Sequence, residues 1–260
     1  MSELRKLFLV FALVILAPLL HAQQTLRIAA AADLQPVLPP ILAQFETQTG
    51  IHAEASYQSS ATLATQIING APFDVFMAAD LSFPQRVIAA GLAEESQPMV
   101  YAQGTLVLWT RNDSPFQNLS VDSLRDPALK SLATANAEHA PYGRAAKAAL
   151  EHLQLYDTLK TKLVVAENIA QTAQYADSGN AQLGLISLTS ALTPRLKANG
   201  HYVLVPRDAY PPIQQGVVVI KRVDTNASAA HRFLDFLTSA PVRHQLEAGG
   251  LAPPSSTQAK

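Results

Sequence analysis

A short apolar run at residues 25–30 gives way, through Ala29-Ala30-Ala31-Ala32-Asp33-Leu34, to a helix expected from about Leu34 to Thr49, in which Leu38, Ile41, Leu42 and Phe45 recur at helical spacing. Gly50 stops it, and the succession then repeats. Residues 52–57 read as a second strand and Ser56-Tyr57-Gln58-Ser59-Ser60-Ala61-Thr62-Leu63 as the next junction. Residues 61–69 read as a helix that Gly70 closes, and residues 75–78 as a third apolar strand before Asp80. A parallel pair of strands needs a long crossover, and the helices supply it. Three strands with two crossover helices make half of a doubly wound sheet.

The alternation resumes at residues 105–109, which are almost continuously apolar. Strands are expected at 132–135, 163–165 and 183–188, with helices at 142–153 and 169–177 between them. Residues 203–205 lead into Pro206 and the Pro211-Pro212 pair. Beyond these, 216–221 read as an apolar strand and 227–238 as a helix with Phe233, Phe236 and Leu237 inward. The expected fold is α/β in two lobes, each a mostly parallel sheet flanked by helices, with a ligand cleft between them. Crossings near residues 101–104 and 207–212 would give 23–102 as the first part of lobe 1, 103–209 as lobe 2 and 210–260 as the second part of lobe 1. A chain of 260 residues, less the 22 of the expected leader, supports either one large domain or two lobes of ordinary size.

Arg5 and Lys6 precede an apolar stretch from Leu7 to Leu20, and His21-Ala22 follows, so residues 1–22 read as a cleaved signal peptide. The run is short of the roughly 20 apolar residues that span a bilayer. With no cysteine in the sequence, disulfides, thiolate metal sites and a lipid-modified cysteine are excluded. The mature chain is expected to be soluble in the periplasm of a Gram-negative bacterium, as a monomer. Loss of Glu3, Arg5 and Lys6 leaves 17 Lys and Arg against 19 Asp and Glu, a formal charge of −2. Without basic runs or aromatic–basic interleaving, nucleic acid has no electrostatic footprint here.

Catalytic motifs are missing. There is no G-x-S-x-G elbow, no H-E-x-x-H, no P-loop and no G-x-G-x-x-G, and none of the seven histidines pairs with a carboxylate at ligand spacing. No cofactor and no direct metal ligand is expected. Four loop-to-helix junctions remain: at Asp33, at Ser60, at Ala140-Pro141-Tyr142-Gly143 and at Ala166-Glu167-Asn168-Ile169. Each lies at the carboxyl edge of its expected sheet, where open α/β folds bind ligands. A helix start presents N–H groups without intrahelical partners and the positive end of the helix dipole, so it favours anions. If the fold brings the four together, the site takes a small oxyanion with neutral donors. Taken singly, Asp, Ser and Asn there are ordinary helix caps.

The block Ser59-Ser60-Ala61-Thr62-Leu63-Ala64-Thr65-Gln66-Ile67-Ile68-Asn69-Gly70-Ala71-Pro72-Phe73-Asp74-Val75-Phe76-Met77-Ala78-Ala79-Asp80 resembles the signature of periplasmic molybdate-binding proteins of ABC transporters, S-S-x-x-L-x-x-Q-I-x-x-G-A-P-x-D-x-F-x-x-A-D. The likeness continues through His139-Ala140-Pro141-Tyr142-Gly143, Ala166-Glu167-Asn168-Ile169 and Leu183-Gly184-Leu185-Ile186, and so covers most of the chain. The resemblance implies a two-lobed receptor that closes on molybdate or tungstate and delivers it to a membrane permease driven by an ATPase. It places the anion's donors at Asp33, at Ser60 through hydroxyl and N–H, and at Tyr142 and Ile169 through the backbone. Ala32, Ser59 and Ser187 are weaker candidates.

Two positions depart from the family's pattern: Asp33 stands where many members carry serine, and Ser187 where many carry tyrosine. Tyr142 can supply the missing phenol. A carboxylate facing an oxyanion is repelled, so Asp33 is expected to turn back and cap its own helix, through Gln35, Val37 or water because Pro36 has no N–H. The alternative is that Asp33 accepts a proton from a protonated anion, which would favour phosphate. A receptor for phosphate or sulfate on the same fold, and a secreted hydrolase with Ser60 as nucleophile, are the other readings of the chain.

Overall fold

The computed structural model describes residues 25–222 and 226–254. The leader expected at 1–22 lies outside them.

Strand β1 (Leu26–Ala31) lies between β2 (Ala53–Gln58) and β3 (Val75–Ala78), parallel to both. Helices α1 (Leu38–Thr49) and α2 (Ser60–Ile68) make the two crossovers, and α3 (Ser82–Ala89) follows β3. The chain returns as β4 (Met99–Gly104) on the far edge of this sheet and passes through Thr105 into β5 (Leu106–Arg111) of a second one. That sheet is completed by β6 (Leu132–Ala135), β7 (Leu163–Ala166), β8 (Leu183–Ser187) and β9 (Gly200–Leu204). Helices α4 (Pro141–His152), α5 (Tyr156–Leu159), α6 (Ile169–Asp177), α7 (Leu188–Ala191) and α8 (Pro194–Asn199) connect these strands. Strand β10 (Ile213–Val219) then re-enters the first sheet, followed by α9 (Ala227–Leu237) and α10 (Ala240–Ala248).

The strand orders are β2-β1-β3-β10-β4 and β7-β6-β8-β5-β9. Both sheets are mixed: the three-stranded parallel halves expected from the alternation, β2-β1-β3 and β7-β6-β8, are each extended by two strands through successive antiparallel pairings.

Alternate residues of each central strand feed opposite faces. In the first sheet, Ile28 and Ala30 join Leu38, Ile41 and Phe45 of α1 and Phe233 of α9, while Ala29 joins Leu63, Ile67 and Phe76 on the other side. In the second, Leu106 and Leu108 face α4, and Val107 and Trp109 face Ala173 and Ala176 of α6. Ala31, Ala32, Ala79 and Ile213 of the first sheet's surroundings pack with Ala140, Tyr142 and Ile169 in a single apolar cluster, so the two lobes are in contact.

Helices α3, α5, α7, α8 and α10 lie outside the elements expected from the sequence, and other elements differ in extent. The first helix starts at Leu38, after a 3-10 turn at Ala32–Leu34. Proline fits only a helix's first turn, and Pro39 and Pro40 therefore fix the start. Strand β4, unforeseen, pairs with β10 across more than a hundred residues of sequence. The strand expected at 216–221 begins earlier, at Ile213. The tail is tied down as far as Ala252, whose N–H and carbonyl both bond to Gln103.

Phe45 is fully buried and meets Phe233 edge-on, with ring centroids 5.4 Å apart. Phe45→Ala is expected to lower stability by about 3–5 kcal/mol, read as a lower urea midpoint. A loss below about 1 kcal/mol would show that this face of the sheet tolerates a cavity.

Candidate functional site

The ends of β1, β2, β6 and β7 deliver four helix or turn starts to one place. Ala32, Asp33, Ser59, Ser60, Ala140, Pro141, Tyr142, Asn168 and Ile169 line a common cavity with Ala79 and Gln58. Its volume is about 10 Å³, the room of one water-sized sphere. Among the described residues, no Lys, Arg or His lines it.

Ser59 is the N-cap of α2, its hydroxyl accepting from the Thr62 N–H, and Ser60 is the first helical residue. The Ala61 N–H reaches across to the His139 carbonyl at 3.1 Å, which leaves the Ser60 N–H as the bare donor of this start. The buried Ser60 hydroxyl accepts from the Ala79 N–H at 3.1 Å, so its own proton is free to donate. In α4 the first helical bond runs from Arg144 N–H to the Ala140 carbonyl, so the Tyr142 and Gly143 N–H groups precede it. A Cβ at Gly143 would stand 2.4 Å from the Ala135 carbonyl, so only glycine allows α4 to start this close to β6. In α6, Asn168 caps Gln171 and its carbonyl accepts from Thr172, which leaves the Ile169 N–H bare.

Asp33 does not cap its helix. No side-chain cap closes the 3-10 turn, and the carboxyl points into the interior, fully buried. Its Oδ2 accepts from Gln215 Nε2 at 2.6 Å, and Gln215 Oε1 accepts from the Tyr101 hydroxyl at 3.2 Å. The Asp33 carbonyl accepts from the Thr189 hydroxyl at 2.7 Å. The Tyr142 hydroxyl sits beside the carboxyl, close enough to favour its ionised form but without hydrogen-bond geometry; Asp33 Oδ1 and that hydroxyl are both buried without a partner. A Cβ at Gly104 would stand 2.3 Å from the Tyr142 hydroxyl, so the absence of a side chain there makes room for the phenol. Burial pushes the Asp33 carboxyl up to about 6, against smaller opposing effects from Gln215, Tyr142 and its own N–H. It also raises the Tyr101 and Tyr142 phenols well above their ordinary value, helped by the charge of Asp33.

Contacts between the lobes ring the cavity. Arg144 of α4 pairs with Asp80 at the end of β3, and its guanidinium lies 5.1 Å from the centre of the Phe83 ring. The Thr62 hydroxyl is 3.4 Å from Glu167, whose other neighbour is His139 Nδ1 at 3.1 Å. Asp74 of the G-A-P-x-D block accepts the Arg27 N–H at 2.7 Å and joins β1 to the turn before β3. Asp80, Arg144, Gln215 and Thr189 were not singled out in the sequence, because their partners lie far away along the chain.

Ser187 falls outside the cavity. Its buried hydroxyl caps α7 by accepting from the Ser190 N–H, and it also bonds the Ser190 and Thr189 hydroxyls, so it has no anion to meet. Among the described residues, no imidazole or carboxylate, the base a serine nucleophile needs, bonds the Ser60 hydroxyl. A larger groove of about 580 Å³ lies between Gln35, Pro36 and helices α6 and α8. Its buried charge, Asp177, is already held by Arg195 and Asn199, so the groove offers no comparable set of open donors.

A profile of bacterial extracellular solute-binding proteins matches residues 26–252. The chain belongs to this family. This solute-binding protein is 34% identical over 224 residues to the molybdate-binding protein ModA of Azotobacter vinelandii, covering 86% of this chain and 88% of that one. It is 35% identical to ModA of Rhodobacter capsulatus over 80% of this chain and 81% of the other. The solved structure of the Azotobacter vinelandii periplasmic molybdate-binding protein superposes with a TM-score of 0.80 at 29% identity, covering 88% of this chain and all of that one. A sulfate-binding protein from Mycobacterium tuberculosis shares the fold at a TM-score of 0.74, with 14% identity. Among the described residues, no helix is long and apolar enough to cross a membrane.

A carboxyl whose folded pKa is raised stabilises relative to its ionised form only at low pH. The unfolded Asp33 ionises near 3.8 and the folded one near 6, so stability is lost as pH rises through that window. Asp33→Asn, which keeps an acceptor for Gln215, is expected to exceed the wild type by about 3 kcal/mol at pH 7.5, on roughly 1.4 kcal/mol per unit. The advantage should vanish as pH falls toward 4; urea midpoints across that range check it, and a difference independent of pH contradicts it.

Proposed function

We propose that this protein is a periplasmic receptor that captures molybdate, and tungstate with it, between its lobes and delivers it to the permease and ATPase of an ABC transporter. The observation that carries this reading is the convergence of bare helix-start donors at Ser60, Tyr142 and Ile169, with the Ser60 hydroxyl, on one buried cavity without a cation. Neutral donors suit a fully ionised tetrahedral anion, whose oxygens all accept. Asp33 takes part from the same cavity, with Ala32 and Ser59 beside it. The names of the relatives support molybdate over sulfate, which presents the same charge and the same acceptors and is told apart by size.

The crossings through Thr105 and between Leu204 and Ile213 serve as the hinge. Lobe 1, residues 23–102 and 210–260 in the division read from the sequence, moves against lobe 2, residues 103–209. Arg144–Asp80 and Ala61–His139 are contacts of the closed form. The ligand drives closure only through its stronger binding to that form. The family and the missing base on Ser60 both speak for transport and against hydrolysis.

A specific observation favours a second reading. Two like charges about 4 Å apart repel by about 4 kcal/mol at an effective dielectric of about 20, so the Asp33 carboxyl suits an anion that brings its own proton, as hydrogen phosphate does. Thermal unfolding with each anion separates the two. At about 100 times its Kd a ligand of the folded state adds about 2.7 kcal/mol, which is roughly 5–10 °C for a chain of this size. Molybdate and tungstate should produce that shift; a shift with phosphate and none with molybdate contradicts the proposal. Ser60→Ala should weaken molybdate binding by about tenfold with the fold intact, since it removes one donor. Unchanged affinity would make Ser60 a structural residue only.

A further inference from the structure

The helix starts around the cavity present donors that no hydrogen bond within the protein uses. The Ser60 hydroxyl proton and the N–H groups of Ser60, Tyr142 and Ile169 all await an acceptor. Asp33 differs from them. Its Oδ2 is held by Gln215 and its carbonyl by Thr189, while Oδ1 is buried with no partner, beside an equally unpartnered Tyr142 hydroxyl. Asp33 and Tyr142 belong to opposite lobes and both line the cavity in which the anion is proposed to sit. An oxyanion offers only acceptors, and two acceptors make no hydrogen bond unless a proton lies between them.

We propose that closure of the cleft over a tetrahedral oxyanion takes up one proton from solvent, held between Asp33 Oδ1 and an oxygen of the anion. This rests on the receptor reading above. The balance is simple: a doubly charged anion, the Asp33 carboxylate and one proton give a complex of net charge −2, with no bond changed other than the O–H formed. A carboxylic acid donating to the dianion and a carboxylate accepting from the singly protonated anion have the same composition, so the proton count is one in either description.

The surroundings leave Asp33 as the group that titrates. Facing it are Gln215 from β10, Tyr101 from β4, Tyr142 from α4 and Thr189 from α7, with Tyr210 acting on Tyr142 from the segment before β10. Burial holds the phenols of Tyr101 and Tyr142 protonated and raises Asp33 toward neutrality. The nearby cation of α4, Arg144, is paired with Asp80, and His139 is paired with Glu167 on the rim.

The test is isothermal titration of the protein with sodium molybdate between pH 7 and 8.5, in two buffers of different ionisation enthalpy. One proton should be taken up per molybdate, and the Kd should weaken about tenfold per pH unit. In Asp33→Asn the uptake should fall to zero and the remaining affinity should be flat in pH. Tight binding by the wild type without proton uptake overturns the proposal while leaving the receptor reading in place, and so does uptake that persists in Asp33→Asn. Failure of the wild type to bind molybdate, tungstate, sulfate and phosphate alike overturns the receptor reading and this proposal together.

Discussion

Backbone N–H groups at a helix start have no partner inside the helix, and in a buried position they must find one elsewhere. Here the same requirement arises at several strand ends that meet at one point, and the fold answers it in two ways. Some donors are met across the cleft, as Ala61 is by the His139 carbonyl, or locally, as Thr62 is by Ser59. The rest face a cavity without a cation. Two sheets with matching strand order bring this about, because a parallel β-α step places each helix start at the carboxyl end of its strand, and the two sheets turn those ends toward one another.

The local steps of this arrangement were legible in the sequence. The β1-α1-β2-α2-β3 alternation follows from apolar period and from glycine stops, and the four junctions are visible as caps and prolines before helical runs. Pairings between distant residues were not legible. Strand β4 gives a weak local signal because its partner β10 comes much later in the chain, and Arg144 carries no mark that ties it to Asp80. The prolines at 39 and 40 were a readable signal for the start of α1 that apolar spacing alone overrode.

Asp33 shows how a local rule fails at a site. An aspartate at a strand-to-helix junction is usually a cap, and the one local mark against it is Pro36, which has no N–H to donate. The long-range partner Gln215, held in place by Tyr101, turns the carboxyl inward, and the phenol of Tyr142 closes over it from the other lobe. The result is a buried acid among donors, a combination that natural cores avoid unless it is used. Ser187 is the opposite case: its hydroxyl is at a similar strand end, yet local caps in α7 satisfy it completely.

The claim that the converging helix starts form the anion's seat is tested most directly by diffraction from crystals grown with molybdate, collected at the molybdenum absorption edge. The account predicts a single anomalous peak within the cavity between Ser60, Tyr142, Ile169 and Asp33. A peak in the groove beside Asp177 and Arg195, or none in a crystal of protein shown to bind molybdate in solution, would contradict it.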